Sequence, residues 1–240
     1  VKSATSVTPR YCQISQIIAL FAGAVLLTPA HAERPMNVDD AGTLDKGGYK
    51  IEFGGNRDDR TRGIDGAAGF SPIENLELEV NFERGRDRAS DPATRLIGNG
   101  FAAKWVPLQA EKGLSAGLKL EVGQLRSDDR RGLRDTEHGR SLTGLATWRF
   151  ESEQAIHLNL GREWTRASGL RDHANTWGVG FEQPLVEGVQ LGVETYGADH
   201  SRPDKQVGLR WEVMDGLKLS IAAGRGNGRS FGNTGLAWEF

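Results

Sequence analysis

The sequence predicts an all-β fold, an antiparallel transmembrane β-barrel of about twelve strands after a cleavable signal peptide. Three observations predict it. An export signal opens the chain, apolar and polar residues alternate with a period of two through the rest, and short plain connections alternate with longer charged ones.

Residues 1–32 read as the signal peptide. Lys2 and Arg10 precede an apolar run from Ile17 to Leu27, and Ala30-His31-Ala32 presents small residues at the two positions a signal peptidase inspects. The apolar run is shorter than the roughly 20 residues a membrane-spanning helix needs. Cys12, the single cysteine, lies within the signal, so the chain from Glu33 onward carries no thiol and crosses an oxidising compartment without disulfide chemistry. Losing the signal lowers the 30 basic residues by two, to 28 against 32 acidic, a balance of −4 over the remaining 208 residues. That balance excludes a polybasic nucleic-acid binder. A mean hydropathy of −0.47 suits a soluble protein, but in a membrane barrel every second residue faces water and the average cancels.

Residues 33–47 form a periplasmic lead segment, too short for a plug domain and at most a lid. From 48 to 240 the barrel pattern takes over. Leu76, Leu78, Val80 and Phe82 interleave with Glu77, Glu79, Asn81 and Glu83, which gives a strand one apolar and one polar face. The same alternation runs through 118–122, 189–194, 207–213 and 217–221. Strands are expected at 48–57, 63–73, 76–87, 94–107, 114–126, 138–151, 155–166, 173–185, 188–199, 205–214, 217–226 and 229–240. Short turns follow the second strand and every second one after it. The alternate connections are charged and hold, with their edges, 18 of the 22 arginines. Short periplasmic turns and longer external loops have this asymmetry, and both termini then lie on the periplasmic side.

Aromatic residues check that orientation, because Trp and Tyr rings favour the membrane interface. Phe70, Trp105, Trp148 with Phe150, Phe181, Trp211, and Trp238 with Phe240 all fall late in strands running toward the periplasm, and Tyr49 falls early in the first. Phe82 and Trp164 begin an opposite belt. The ending Ala237-Trp238-Glu239-Phe240 resembles the assembly signal that barrel-assembly machinery reads in outer-membrane proteins, with Trp238 and Phe240 as its anchors. A soluble β-sandwich or lipocalin-like barrel also shows period-two strands, but it would turn its apolar face to a core and would not need its tryptophans at one height.

The segment Arg34-Pro35-Met36-Asn37-Val38-Asp39-Asp40-Ala41-Gly42, followed by Gly47-Gly48-Tyr49-Lys50-Ile51-Glu52, resembles the opening of a family of outer-membrane transporters labelled as a MetA pathway of phenol degradation. The resemblance covers about the first tenth of the chain beyond the signal. It implies the barrel fold, and its label puts aromatic solutes first among those to screen.

Function should reside on the polar face of the wall. A barrel of about twelve strands lies between the filled eight-stranded barrels and the open porins. Counting the polar face as lumen places acids at Glu52, Asp65, Glu77, Glu79, Glu83, Glu121, Glu151, Glu163, Glu182, Glu194, Glu212 and Glu239, and bases at Lys50, Lys104, Lys119, Arg149, Arg210 and Lys218. The acidic excess favours cations or neutral polar solutes over anions; the alternative is a set of cross-strand charge ladders bracing a plugged barrel. Glu52, Glu77, Glu79, Lys104, Lys119, Glu121, Glu182, Glu194, Arg210 and Glu212 are the residues expected to line a pore. Gly98, Gly100, Gly178 and Gly180, on the same face, would widen the lumen or ease curvature.

Outer-membrane lipid and lipopolysaccharide are the expected partners, with Arg130, Arg131 and Arg134 as phosphate ligands in an external loop. The transported solute is unknown, and no cofactor or metal is implied: Asp39-Asp40 lacks the spaced oxygen donors of a calcium loop and reads as a turn or lid contact. Two other functions remain: a structural barrel without transport, or an enzyme acting on lipid or peptide at the cell surface through Asp128-Asp129, Asp172-His173 or Asp199-His200-Ser201. Neighbouring strand residues face opposite sides, so such pairs form no dyad by themselves, and His157, lumen-facing, has no evident serine partner.

Overall fold

The computed structural model describes residues 34–89, 93–129, 132–199 and 201–240. The expected signal peptide with Cys12, the arginines Arg130 and Arg131, and His200 lie outside the described residues.

Twelve strands occur among the described residues: β1 (Tyr49–Asp58), β2 (Thr61–Ile73), β3 (Leu76–Asp87), β4 (Thr94–Leu108), β5 (Gly113–Asp128), β6 (Arg134–Arg149), β7 (Ala155–Ala167), β8 (Leu170–Val186), β9 (Val189–Ala198), β10 (Asp204–Met214), β11 (Leu217–Gly226) and β12 (Arg229–Glu239). Each pairs antiparallel with its neighbours in sequence, and β1 pairs with β12, so the sheet closes without a free edge. The predicted architecture is therefore the observed one.

The charged external connections differ from expectation. Several of them are strand rather than loop: β6 begins at Arg134 and stays in register with β5 up to Asp128↔Arg134, while β7 and β8 meet at a two-residue turn. The local cause is turn chemistry. Ser168 and Gly169 both have positive φ, 50° and 82°, as do Asn227 and Gly228, the geometry of a tight hairpin that prolongs pairing to the strand tips. At the opposite end Pro72, Pro107 and Pro184 accompany register shifts, because proline has no N–H for the ladder.

Packing is inverted relative to a soluble domain. The buried apolar cluster among the described residues is Ala41, Val106 and Leu145, whereas Phe53, Val80, Phe101, Leu118, Leu120, Leu158, Leu160, Val207 and Ile221 stand exposed on the outer wall. An apolar girdle of that extent needs an apolar solvent. On one rim Trp105, Trp148, Trp211 and Trp238 are also exposed.

Phe240 closes the seam between β1 and β12. Its carbonyl accepts from Tyr49 N at 2.8 Å, its N–H donates to Tyr49 O at 3.0 Å, and its ring stacks on Tyr49 at 5.9 Å and meets Trp238 at 5.0 Å. Phe240→Ala should cost the closed barrel about 1–3 kcal/mol from two aromatic pairs and their buried area, read as a lower urea midpoint of refolded protein in micelles. Phe240→Tyr should restore it.

Candidate functional site

Strand parity sends one residue in two inward, and the inward set is largely polar. Glu52, Glu77, Glu79, Lys104, Lys119, Glu194 and Arg210 are buried inside the barrel, and Glu121 and Glu182 are partly buried on the same face. Glu212 differs: it is exposed at the end of β10, where a register shift ends the ladder and its Oε1 accepts from Gly216 N at 3.1 Å. Glu151 is likewise exposed, in the turn after β6.

The lumen is not empty at mid-height. Residues 34–42 enter it and pass round the inside of the wall from β12 toward β6, against chain order. Arg34 pairs with Glu52 (3.4 Å) and Asp65. Gln206 Nε2 donates to Pro35 O at 2.6 Å. The Glu194 carboxylate accepts from Asn37 N at 2.9 Å, Asn37 Nδ2 at 2.8 Å and Val38 N at 2.8 Å. Asp39 N donates to Asn159 Oδ1 at 2.7 Å, and Ala41 N donates to Thr147 Oγ1 at 2.8 Å. A short segment of turns and bends cannot satisfy its own N–H groups, so the wall supplies acceptors for it.

The two aspartates are the centre of this contact. Asp39 lies between Lys104, at 3.1 Å, and Lys119; Asp40 meets Arg149 at 2.8 Å and Lys104 at 3.3 Å. Lys104 and Lys119 are directly opposite each other on β4 and β5, a like-charge pair that destabilises a bare sheet and that Asp39 neutralises. The aspartates are thus ion-pair partners of the wall, a contact of the lead segment and not a turn. Burial alone would push both carboxyls up, but Lys104 with Lys119 for Asp39, and Lys104, His157 and Arg149 for Asp40, hold them below the ordinary aspartate range.

A carboxyl whose pKa is lower when docked favours docking above its free value and loses that contribution as pH falls toward the docked value. A thiol at Met36→Cys should therefore resist maleimide in the folded barrel from neutrality to mild acid. Labelling, after return to neutral pH under quench conditions, should rise only for samples held below about pH 4, the ordinary aspartate value.

Apolar contacts shape the same groove. Met36 and Val38 are 5% and 2% exposed, and they lie where side chains of the wall would otherwise be. A Cβ on Gly178 would stand 2.8 Å from Val38 Cγ2, and one on Gly180 2.8 Å from Met36 Cε; Gly192 faces Met36, Gly208 faces Pro35, and Gly54 and Gly235 face Arg34 as tightly or more so. These glycines, of which periodicity singles out Gly178 and Gly180 as easing curvature or adding width, form the bed of the segment. The signal that could have found them is glycine at inward parity in the middle of strands, where it otherwise weakens a sheet.

Around this centre the wall carries its own ladders. Lys50 bridges Glu77 at 2.9 Å, Glu52 at 3.3 Å and Glu79 at 3.4 Å, and Arg210 meets Glu182 at 2.9 Å. His157 sits under the segment, with Nδ1 3.0 Å from Thr147 Oγ1 and Nε2 3.6 Å from Glu182. On the side of the segment nearer Tyr49 and Phe240 a polar vestibule of about 850 Å³ opens between Asp40, Leu44, Lys50, Gln109, Arg149 and Glu239. On the external side Glu83, Glu121, Glu137 and Glu163 face the lumen, and Glu137 and Glu163 each have a buried Oε1 without a hydrogen-bond partner. At the external tip Arg134 pairs with Asp128 at 3.2 Å, as does Arg126.

The fold is shared with solved outer-membrane barrels at low identity. An outer membrane channel of Pseudomonas putida F1, COG4313, is 12% identical with a TM-score of 0.59, covering 84% of this chain and 98% of that one. The KdgM porin is 10% identical with a TM-score of 0.58, covering 80% and 99%. The translocator domain of autotransporter NalP from Neisseria meningitidis is 14% identical with a TM-score of 0.52, covering 96% and 95%. No curated protein sequence matches the chain. A family model described as Uncharacterised conserved protein UCP029691 matches residues 20–231.

Proposed function

The chain belongs to the family described as Uncharacterised conserved protein UCP029691, and we propose that it is a passive outer-membrane channel for small solutes, closed at rest by its own Arg34–Gly42 segment. The observation that carries this reading is the form of the closure. A single strip of chain, held by ion pairs and glycine pockets, lies between a polar vestibule of about 850 Å³ and the lumen-facing carboxylates Glu83, Glu121, Glu137 and Glu163. Displacing it exposes a continuous polar lumen without unpairing any strand. The exposed apolar girdle and the aromatic rim support a membrane location, and solved channels share the fold.

Glu83, Glu121, Glu137 and Glu163 at the external entrance favour cations or neutral polar solutes, since clustered carboxylates raise local cation concentration. The resemblance of the opening motif to transporters labelled for phenol degradation makes aromatic solutes the first to screen.

Planar-bilayer recording tests the reading. Refolded protein lacking 34–42 should conduct in steps and its reversal potential under a salt gradient should report cation preference, while the intact chain conducts weakly or intermittently. A folded, heat-modifiable deletion variant that stays silent would defeat the channel; preference for chloride would defeat the acidic filter alone.

A further inference from the structure

One patch of the outer wall has a composition that the closed lumen does not use. On the outward face of β6, β7 and β8 three registered rows follow one another. His138 is opposite Arg166, which is opposite Arg171; Arg140 is opposite Trp164, which is opposite His173; Leu142 is opposite Arg162, which is opposite Asn175. These nine positions carry four arginines, two histidines and no carboxylate. Arg140 and Arg162 both lie over the Trp164 ring, at 5.4 and 5.9 Å from its centroid, so the indole holds two guanidinium groups side by side. Arg166 and Arg171 face each other directly, a like-charge pair that costs a sheet stability unless an anion lies between them. Immediately toward the middle of the barrel the same face turns apolar with Leu158, Leu160, Trp177 and Val179, all exposed.

We propose that this patch binds a phosphomonoester-bearing lipid headgroup of the lipid A kind, with phosphate on Arg140, Arg162 and Arg166 and acyl chains against Leu158, Leu160 and Trp177. Arginine matches phosphate oxygens with two parallel N–H donors, and the rings and stems beneath it keep the guanidinium planes oriented. A soluble anion would gain from the arginines alone. An amphiphile gains from both halves of the patch, and the sideways opening onto the apolar girdle admits one. The sequence alone points to Arg130, Arg131 and Arg134 for phosphate recognition; of these Arg134, the one within the described residues, pairs with Asp128, whereas Arg140 and Arg162 are turned to the ring.

The site rests on the membrane reading above, and its test separates the two. The full barrel, refolded in neutral micelles, is titrated with lipid A, dephosphorylated lipid A, phosphatidylglycerol and inorganic phosphate, with bound lipid counted by native mass spectrometry. Lipid A should bind at least about tenfold more tightly than its dephosphorylated form. Arg140→Gln with Arg162→Gln should abolish that preference, and Arg57→Gln with Arg62→Gln, an equal charge loss at an outward arginine pair elsewhere on the wall, should keep it. Equal losses in both double variants, equal binding of dephosphorylated lipid A or of phosphatidylglycerol, or saturation by inorganic phosphate at similar concentration would each overturn the site. Insertion into vesicles is measured alongside. A barrel that inserts without preferring lipid A loses the site alone, and one that never inserts loses the membrane reading with it.

Discussion

Replacing Lys104 and Lys119 together by methionine should convert the closed barrel into an open one. In the docked state Asp39 is 3% exposed and its charge is matched by these two ammonium groups. Removing the partners of a buried charge costs about 3–5 kcal/mol, which corresponds to a shift of roughly a hundredfold to several thousandfold toward the displaced segment. The wall itself should not suffer, because the double variant also removes a directly opposed lysine pair. The measurement is single-channel conductance together with maleimide labelling at Met36→Cys. Open-state conductance and rapid labelling should appear together, with the urea midpoint of the barrel unchanged. Fast labelling without conductance would mean that the lumen stays blocked by something else. Neither change would mean that the ion pairs do not hold the segment.

Gly192→Leu should open the same lumen without altering a charge. The glycine faces the Met36 side chain so closely that even a methyl group would push the thioether aside, and inserting a larger group into a packed contact costs about 1–3 kcal/mol. Borne by the docked segment, that cost raises the displaced population roughly tenfold to a hundredfold. The pH response separates this variant from the first. Its remaining closed fraction should still depend on Asp39 and Asp40 and should still be lost in strong acid, whereas the lysine variant has lost both partners of Asp39, keeps only Arg149 on Asp40, and should show a weaker acid response. Met36→Ala on the Gly192→Leu background should restore closure by returning the space.

Much of the wall was legible in the sequence and little of the latch. The alternation at 76–83 identified β3 to the residue, and parity alone sent Glu52, Glu77, Glu79, Lys104, Lys119, Glu194 and Arg210 inward. Strand ends were less legible. The charged run from Arg126 to Arg140 has loop composition, yet pairing continues through much of it, because Arg126 and Arg134 share Asp128 across the strand tips. The Arg34–Gly42 motif stood out as a motif, but its length suggested at most a lid. Nothing in its composition says that Val38 fills the space above Gly178, or that Asp39 reaches a lysine 80 residues away.

The sequence by itself determined which residues form the wall, which face of it each side chain occupies, and that the apolar face is the outer one. Period-two alternation, turn residues and the terminal aromatic ending are local properties, and each can be read within a few residues. Only the tertiary structure decided the register that sets Lys104 opposite Lys119 and Arg140 opposite Trp164, and with it the occupancy of the lumen. Closing the barrel brings six inward glycines and three cations around one strip of chain. Those contacts have no sequence period, because they join residues that only the closed sheet makes neighbours.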